Sequence, residues 1–376
     1  MEKQLARHHL PYSAGIQWQD IIDRPSASLL PLQHLKSHSI FADSSIMKPF
    51  SQLKSMGPGI KAVLLAITWL VLITVVHTFR ASPVNPESRD TMLRVGFLPI
   101  TCHLICPVTA ARLKGSDQEF RTIKFSSWPD MIDAVRGGEI DIAFILAPIA
   151  IALREQGVRI KIVLLGHRDG TALVVSNRSG IRTISQLEGR RVGIPIRFST
   201  QNLELLKLCT QAGVDINTMD ILEIPPPDMP SALDSGGIDA YIVGEPYAAQ
   251  AELSGTGRVL AQMKDVAPGF ISSVVIVREA AMRKSRKRIR RLIREFFASA
   301  RWIEAHRHLA AKTGAAAYGL PEGLIDYVLT SPKDRVSYRN LVPDPAEISA
   351  IANEMIHWGL LPHAPSGKEM IDLSWQ

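Results

Sequence analysis

The chain has 376 residues, 46% of them apolar, with 43 Lys and Arg against 36 Asp and Glu for a formal net charge of +7. That length accommodates two lobes of ordinary domain size with real cores. Ten Lys/Arg and two Glu fall between Arg278 and Arg301, so the rest of the chain carries about −1. Basicity confined to one run argues against nucleic acid as a partner. Three cysteines, Cys102, Cys106 and Cys209, make neither a disulfide framework nor a zinc ribbon.

Residues 1–60 read as a polar extension without sustained periodicity, rich in His, Ser and Pro. Met47 and Met56 each open a conventional signal sequence, so the extension is either a product of start-site choice or a short cytoplasmic tail. Residues 61–79 follow as a signal peptide or membrane anchor. Ala62 to Phe79 carries no charge and is preceded by Lys48, Lys54 and Lys61. As a helix it would span about 27 Å, close to the hydrocarbon thickness. Arg80-Ala81-Ser82 is a poor cleavage site and no Cys follows to accept a lipid, which favours an uncleaved anchor. A buried core helix is the other reading, and no polar residue marks an exposed face for it.

Residues 80–90 are a polar, Pro-containing linker, after which strands and helices alternate. Leu93 to Phe97 and Phe120 to Phe125 read as strands. Asp130 to Arg136 reads as a helix stopped by Gly137-Gly138, Ile140 to Leu146 as a strand, and Ile149 to Glu155 as a helix. Strands follow at Ile160 to Leu165, Ala172 to Val175 and Arg191 to Ile194. Ser199 to Ala212 is a helix capped by Ser199 or Thr200 and closed by Gly213. Ile221 to Ile224 and Ile238 to Val243 are strands, Phe270 to Val277 a returning one, and the remainder to Leu361 is helical. This alternation implies an α/β fold with parallel pairing.

An internal repeat organises the middle of the chain. Pro129-Asp130-Met131, Ala134, Gly138 and Ile140-Asp141 recur as Pro227-Asp228-Met229, Ala232, Gly236 and Ile238-Asp239. Two copies at that spacing lie outside solenoid periods. They fit two similar lobes that each deliver a loop to a shared crevice.

At these residues the chain resembles the periplasmic binding proteins of nitrate, sulfonate and bicarbonate ABC transporters, a group that also includes thiamine-precursor binders. The resemblance spans roughly Leu93 to Leu361. Val95-Gly96-Phe97-Leu98-Pro99-Ile100-Thr101 is similar to the family's opening strand and first ligand loop, and Ser126-Ser127-Trp128 to its Ser-Trp loop. Ile145-Leu146-Ala147-Pro148 is similar to an Ile-Leu-Thr-Pro turn, and Gly244-Glu245-Pro246-Tyr247 to a Gly-Glu-Pro-aromatic turn. The resemblance implies the type II periplasmic binding fold, two lobes with a ligand cleft, in which the chain crosses between lobes twice. Lobe one would be 91–183 plus 272–376 and lobe two 184–271. It implies no enzymatic activity and no cofactor. It also implies a small-molecule solute, ABC permease and ATPase subunits as partners, an extracytoplasmic location, a membrane contact through the N-terminal segment, and a monomer.

The expected ligand contacts lie in loops after strands, where helix N-termini present free N–H groups. Thr101 offers a hydroxyl and Trp128 a flat wall with one N–H, and Ala147 lies in the Ile-Leu-Ala-Pro turn after a strand. His167 or Arg168 would pair with an anion. Arg197-Phe198-Ser199-Thr200 gathers a guanidinium, two hydroxyls and free amides, the best anion site on physical grounds. Glu245 would repel an anion, so it is expected to fix the turn or the closed-lobe geometry. With a cationic solute, Glu245 and Asp169 would become contacts instead. Asp169 stands where an amide is expected, which puts nitrate itself in doubt.

Cys102-His103-x-x-Cys106 supplies too few ligands for a metal. The basic run Arg283 to Arg294 reads as the solvated face of a helix whose apolar stripe is Ile289, Leu292, Ile293, Phe296, Phe297 and Ala300. Three alternatives to a transport binding protein remain: a membrane-anchored ligand-sensing domain, a pyrimidine- or thiamine-precursor binder, and an enzyme on the same fold.

Overall fold

Near-continuous Val, Ile and Leu runs form the central strands, because a strand covered by helices on both faces needs no polar alternation. In chain order β1 (Leu93–Phe97) precedes α1 (Ile105–Arg112), β2 (Phe120–Lys124) precedes α2 (Trp128–Gly137), and β3 (Ile142–Leu146) precedes α3 (Ala147–Glu155). β4 (Ile160–Leu165) and the two-residue β5 (Arg168–Asp169) follow. A second set comprises β6 (Thr171–Ser176), β7 (Arg191–Ile194), α4 (Thr200–Gln211), β8 (Asp220–Glu223) and α5 (Met229–Asp234). It continues with β9 (Ala240–Gly244), α6 (Tyr247–Ser254), β10 (Gly257–Gln262) and α7 (Met263–Val266). The chain returns through β11 (Ser273–Arg278), α8 (Glu279–Lys284), α9 (Arg286–Ala305), α10 (Arg307–Tyr318) and α11 (Glu322–Thr330). It ends with β12 (Val336–Ser337), α12 (Pro345–His357) and α13 (Gly367–Met370).

This computed structural model describes residues 57, 59, 67–69, 92–115 and 119–375. The expected signal or anchor lies outside them apart from Ile67–Trp69. Among the described residues no helix is long and apolar enough to cross a membrane.

Two five-stranded sheets share one plan. The first runs β2-β1-β3-β11-β4 and the second β8-β7-β9-β6-β10. In each, the first three strands are parallel and the fourth is antiparallel to both its neighbours. The internal repeat is the local expression of this symmetry. Asp141 accepts from the backbone and guanidinium of Arg94, and Asp239 does the same for Arg191. Gly138 and Gly236 both take φ of 75°, a left-handed turn open to glycine at no steric cost.

The fourth strand of each sheet comes from the far side of a crossing. β6 lies in the second sheet, so the first crossing falls at Gly170, earlier than the boundary expected after 183. The sequence reading missed it because Thr171–Ser176 is buried throughout and its apolar run suits either sheet. The return crossing runs alongside: Asp169 N donates to Phe270 O at 2.8 Å, and Gly269 N donates to Asp169 Oδ1 at 2.9 Å. Gly170 has φ of 65°, and a Cβ there would come within 2.6 Å of Val336 and 2.7 Å of His167. Only glycine fits that turn.

Candidate functional site

Seven expected residues fall in loops at the carboxyl ends of strands or in the first turns of the helices that follow. Thr101 comes after β1, Trp128 opens α2 after β2, Ala147 opens α3 after β3, and His167 follows β4. From the second sheet come Ser199 and Thr200 at the start of α4 and Glu245 after β9. All are closed off from solvent, Thr200 being the most exposed at 5%.

The two halves meet at Thr101. Its N and Oγ1 both donate to the carbonyl of Glu245, each at 2.9 Å. With its only hydrogen committed there, Thr101 Oγ1 accepts from His167 Nε2 at 3.2 Å. Burial pushes the His167 pKa down to about 3, so the ring is neutral and supplies no positive charge. The expectation that His167 pairs with an anion is corrected on that ground. Arg168 is corrected too: its guanidinium is forked onto Glu347 at 2.7 and 2.9 Å and donates to Gly269 O and Asn340 O. It ties the hinge rather than facing the cleft.

Arg197 sits at the rim, its Nε and backbone N both donating to Glu223 Oε1 at 3.0 and 2.9 Å. Its charge is already matched by a carboxylate. Ser199 spends its hydroxyl on capping α4, accepting from Asn202 N and donating to Ile196 O. Thr200 Oγ1, by contrast, is buried without a partner. Of the four-residue anion cradle expected from the sequence, the guanidinium of Arg197 and the hydroxyl of Ser199 are committed within the fold, and the Thr200 hydroxyl is not.

Glu245, expected to fix its turn or the closed-lobe geometry, is fully paired within the fold. Its carboxylate accepts from Arg335 Nη1 at 2.8 Å and from Ala249 N at 2.9 Å, while Arg335 Nη2 reaches Glu252. Burial raises the Glu245 pKa against the pull of Arg335. The pair joins the α6 turn to the segment before β12.

Several site residues escaped the sequence reading. Gln201 donates to Ser272 Oγ at 2.8 Å and Thr171 Oγ1 at 3.2 Å, with Oε1 unpartnered. Ser272 O accepts from Ala147 N. Gln201 thus brings a side-chain amide to Thr171 and Ser272, and the signal for it was the polar run Ser199 to Asn202 at a helix start. His103 stands edge-on to Trp128 with ring centroids 5.8 Å apart. Leu98 N donates to His103 Nδ1, which leaves the hydrogen on Nε2. That N–H and the Trp128 indole N–H are both buried and unpartnered. Cys102 and Cys106 are buried thiols, with Cys102 pushed up to about 12 by burial. Among the described residues no group of three or more His, Cys, Asp or Glu is placed to hold a metal.

Apart from the Glu245–Arg335 pair, the residues gathered at these strand ends offer neutral hydrogen-bonding groups, and α2, α3 and α4 begin among them. A model of the NMT1-like family matches residues 86–317. The chain belongs to that family. It is 27% identical over 240 residues to the nitrate import ATP-binding protein NrtC of Synechocystis, covering 57% of this chain and 35% of that one. It is 26% identical over 191 residues to a putative aliphatic sulfonates-binding protein of Escherichia coli, covering 49% and 58%. The chain thus spans about a third to three fifths of the length of these relatives. Among solved structures it superposes on the ligand-binding component of an ABC-type import system from Staphylococcus aureus, determined with zinc bound. The TM-score is 0.69 at 24% identity, over 76% of this chain and 98% of that one. The fold that this family member was expected to adopt is the one found.

Proposed function

We propose that the chain is the extracytoplasmic solute-binding component of an ABC importer, capturing a small anion between its two lobes and handing it to a permease served by an ATPase. The observation that carries this is the pair of buried, unpartnered ring donors Trp128 Nε1 and His103 Nε2, whose ring centroids stand 5.8 Å apart, together with the unpartnered hydroxyl of Thr200 at the start of α4. A buried donor left unmet costs about 1–3 kcal/mol, so these groups favour an occupant that accepts hydrogen bonds, while the unpartnered Gln201 Oε1 and His167 Nδ1 can take a hydrogen from it. Nitrate and sulfonate groups are acceptors only, bicarbonate adds one O–H donor, and the first turn of α4 adds backbone N–H groups and a favourable dipole. The positive charges nearby, on Arg168, Arg197 and Arg335, are each matched by carboxylates, so the anion is held by neutral dipoles. The relatives' names, nitrate import and sulfonate binding, agree with this chemistry. The chain works as a monomer, performs no catalysis, and is held or exported by the apolar run after Lys61.

Calorimetric titration of the chain with nitrate, bicarbonate, taurine and longer alkanesulfonates tests the proposal. Saturable binding of one of them, abolished by Trp128→Ala, is expected. Binding of a cationic solute with none of the anions would overturn it.

A further inference from the structure

The strongest charge feature of the molecule plays no part in the cleft. Lys287, Arg290, Arg291 and Arg294 are exposed on one side of α9, spaced three and four residues apart. They are flanked by the exposed Arg283, Lys284 and Arg286. The opposite side of α9 buries Ile289, Leu292, Ile293, Phe296 and Ala300. Like charges at such spacings destabilise a helix, and little here offsets them. Arg283 meets Glu279, and Arg291 meets Glu119, each at 3.8 Å. Among the described residues Lys287 and Arg294 meet no carboxylate.

Two further observations say what covers this face. First, an exposed apolar side chain lies beside it. Arg286 stacks over the ring of Trp375 at 4.9 Å and Arg290 Nη2 donates to Ser374 O, which places the exposed Leu373 next to the cations. Second, the chain enters the folded unit here. Leu93, Glu119, Phe120, Arg288 and Arg291 line one depression, at the ends where β1 and β2 start. Residues 80–92, which separate the apolar run ending at Phe79 from β1, reach at most about 45 Å. No exposed aromatic residue interrupts the cations, so the face lacks the stacking platform of a single-strand nucleic-acid binder.

We propose that this face of α9 docks on the anionic phospholipid surface next to which the N-terminal segment holds the chain, with Leu373 entering the headgroup layer. Docked in this way, the strand-start end of the first sheet meets the lipid and the cleft loops face away from it, open to solute. The inference holds whichever solute the cleft takes. Each basic residue at an anionic surface strengthens binding about fivefold, so the four-residue stripe contributes several hundredfold.

The test uses the full chain carrying Leu373→Cys. The three native thiols are buried, so an impermeant maleimide reads that position alone. In vesicles of phosphatidylcholine with about a third phosphatidylglycerol, labelling should be at least tenfold slower than in pure phosphatidylcholine. Half-molar salt should restore it, as should Lys287→Gln, Arg290→Gln, Arg291→Gln and Arg294→Gln combined, with an unchanged unfolding transition. Asp228→Cys, in the exposed turn after β8, should label equally fast in both. Equal labelling of Leu373→Cys in the two lipids would overturn the proposal. So would protection that survives the four substitutions, or a chain whose basic stripe retains a single-stranded RNA 20-mer while showing no lipid-dependent protection.

Discussion

Replacing Arg335 by Met removes a guanidinium that is 3% exposed from a carboxylate, Glu245, that is 1% exposed. Glu245 would keep only the Ala249 N–H as a partner, and its buried charge would go uncompensated. Breaking such a pair from one side costs about 3–5 kcal/mol. Glu252, which is 32% exposed, turns to water and adds little. In a Glu245→Gln background the same Arg335→Met change should cost about 1–2 kcal/mol, because no charge is stranded. The cycle should therefore show a coupling of about 2 kcal/mol or more. Urea midpoints of the four proteins at neutral pH supply it, provided the slopes agree. A single-substitution cost below about 1 kcal/mol, or additive costs, would refute the reading of this pair as the tie between the α6 turn and the β12 segment.

Burial lowers the His167 pKa to about 3, so its contribution to stability is full above the unfolded value near 6.5 and is lost as pH falls toward the folded value. The loss is about 1.4 kcal/mol per pH unit, and urea unfolding between pH 6.5 and 4.5 should show a shallower slope in His167→Asn. An unchanged slope would mean that the ring is protonated in the fold. Thr200→Val should weaken anion binding about tenfold, whereas Arg197→Ala, which removes a side chain already paired with Glu223, should change it less than threefold. The reverse order by calorimetry would restore Arg197 to the site. Gly170→Ala should cost about 2–4 kcal/mol in thermal unfolding, from a positive φ and two close contacts. A cost under 1 kcal/mol would show that the crossing can relax.

Much of the fold is written in local pattern. The runs at β1, β4 and β7 mark their strands to the residue, and the Gly stops at 138 and 213 mark helix ends, since periodicity and turn chemistry are properties of a few neighbouring residues. The offset repeat disclosed the two-sheet symmetry before any geometry. What local pattern cannot show is partnership at long range. Thr171–Ser176 is equally suited to either sheet, and its place is set by pairing with Gly257–Gln262 and Ala240–Gly244. Arg168 and Arg197 read as free cations because Glu347 and Glu223 lie far along the chain. For the same reason the basic partner of Glu245, Arg335, lies ninety residues on and is not legible in local pattern.

The measurement that bears most directly on the account is thermal unfolding of the chain against nitrate, bicarbonate, taurine and alkanesulfonates, repeated with Trp128→Ala. A ligand bound only by the folded state adds about 2.7 kcal/mol at a hundred times its dissociation constant. One of these anions should raise the transition of the wild-type chain by that amount and leave Trp128→Ala unmoved. Stabilisation by a cationic solute alone, or an equal anion effect on both proteins, would contradict an anion site built from the buried donors around Trp128.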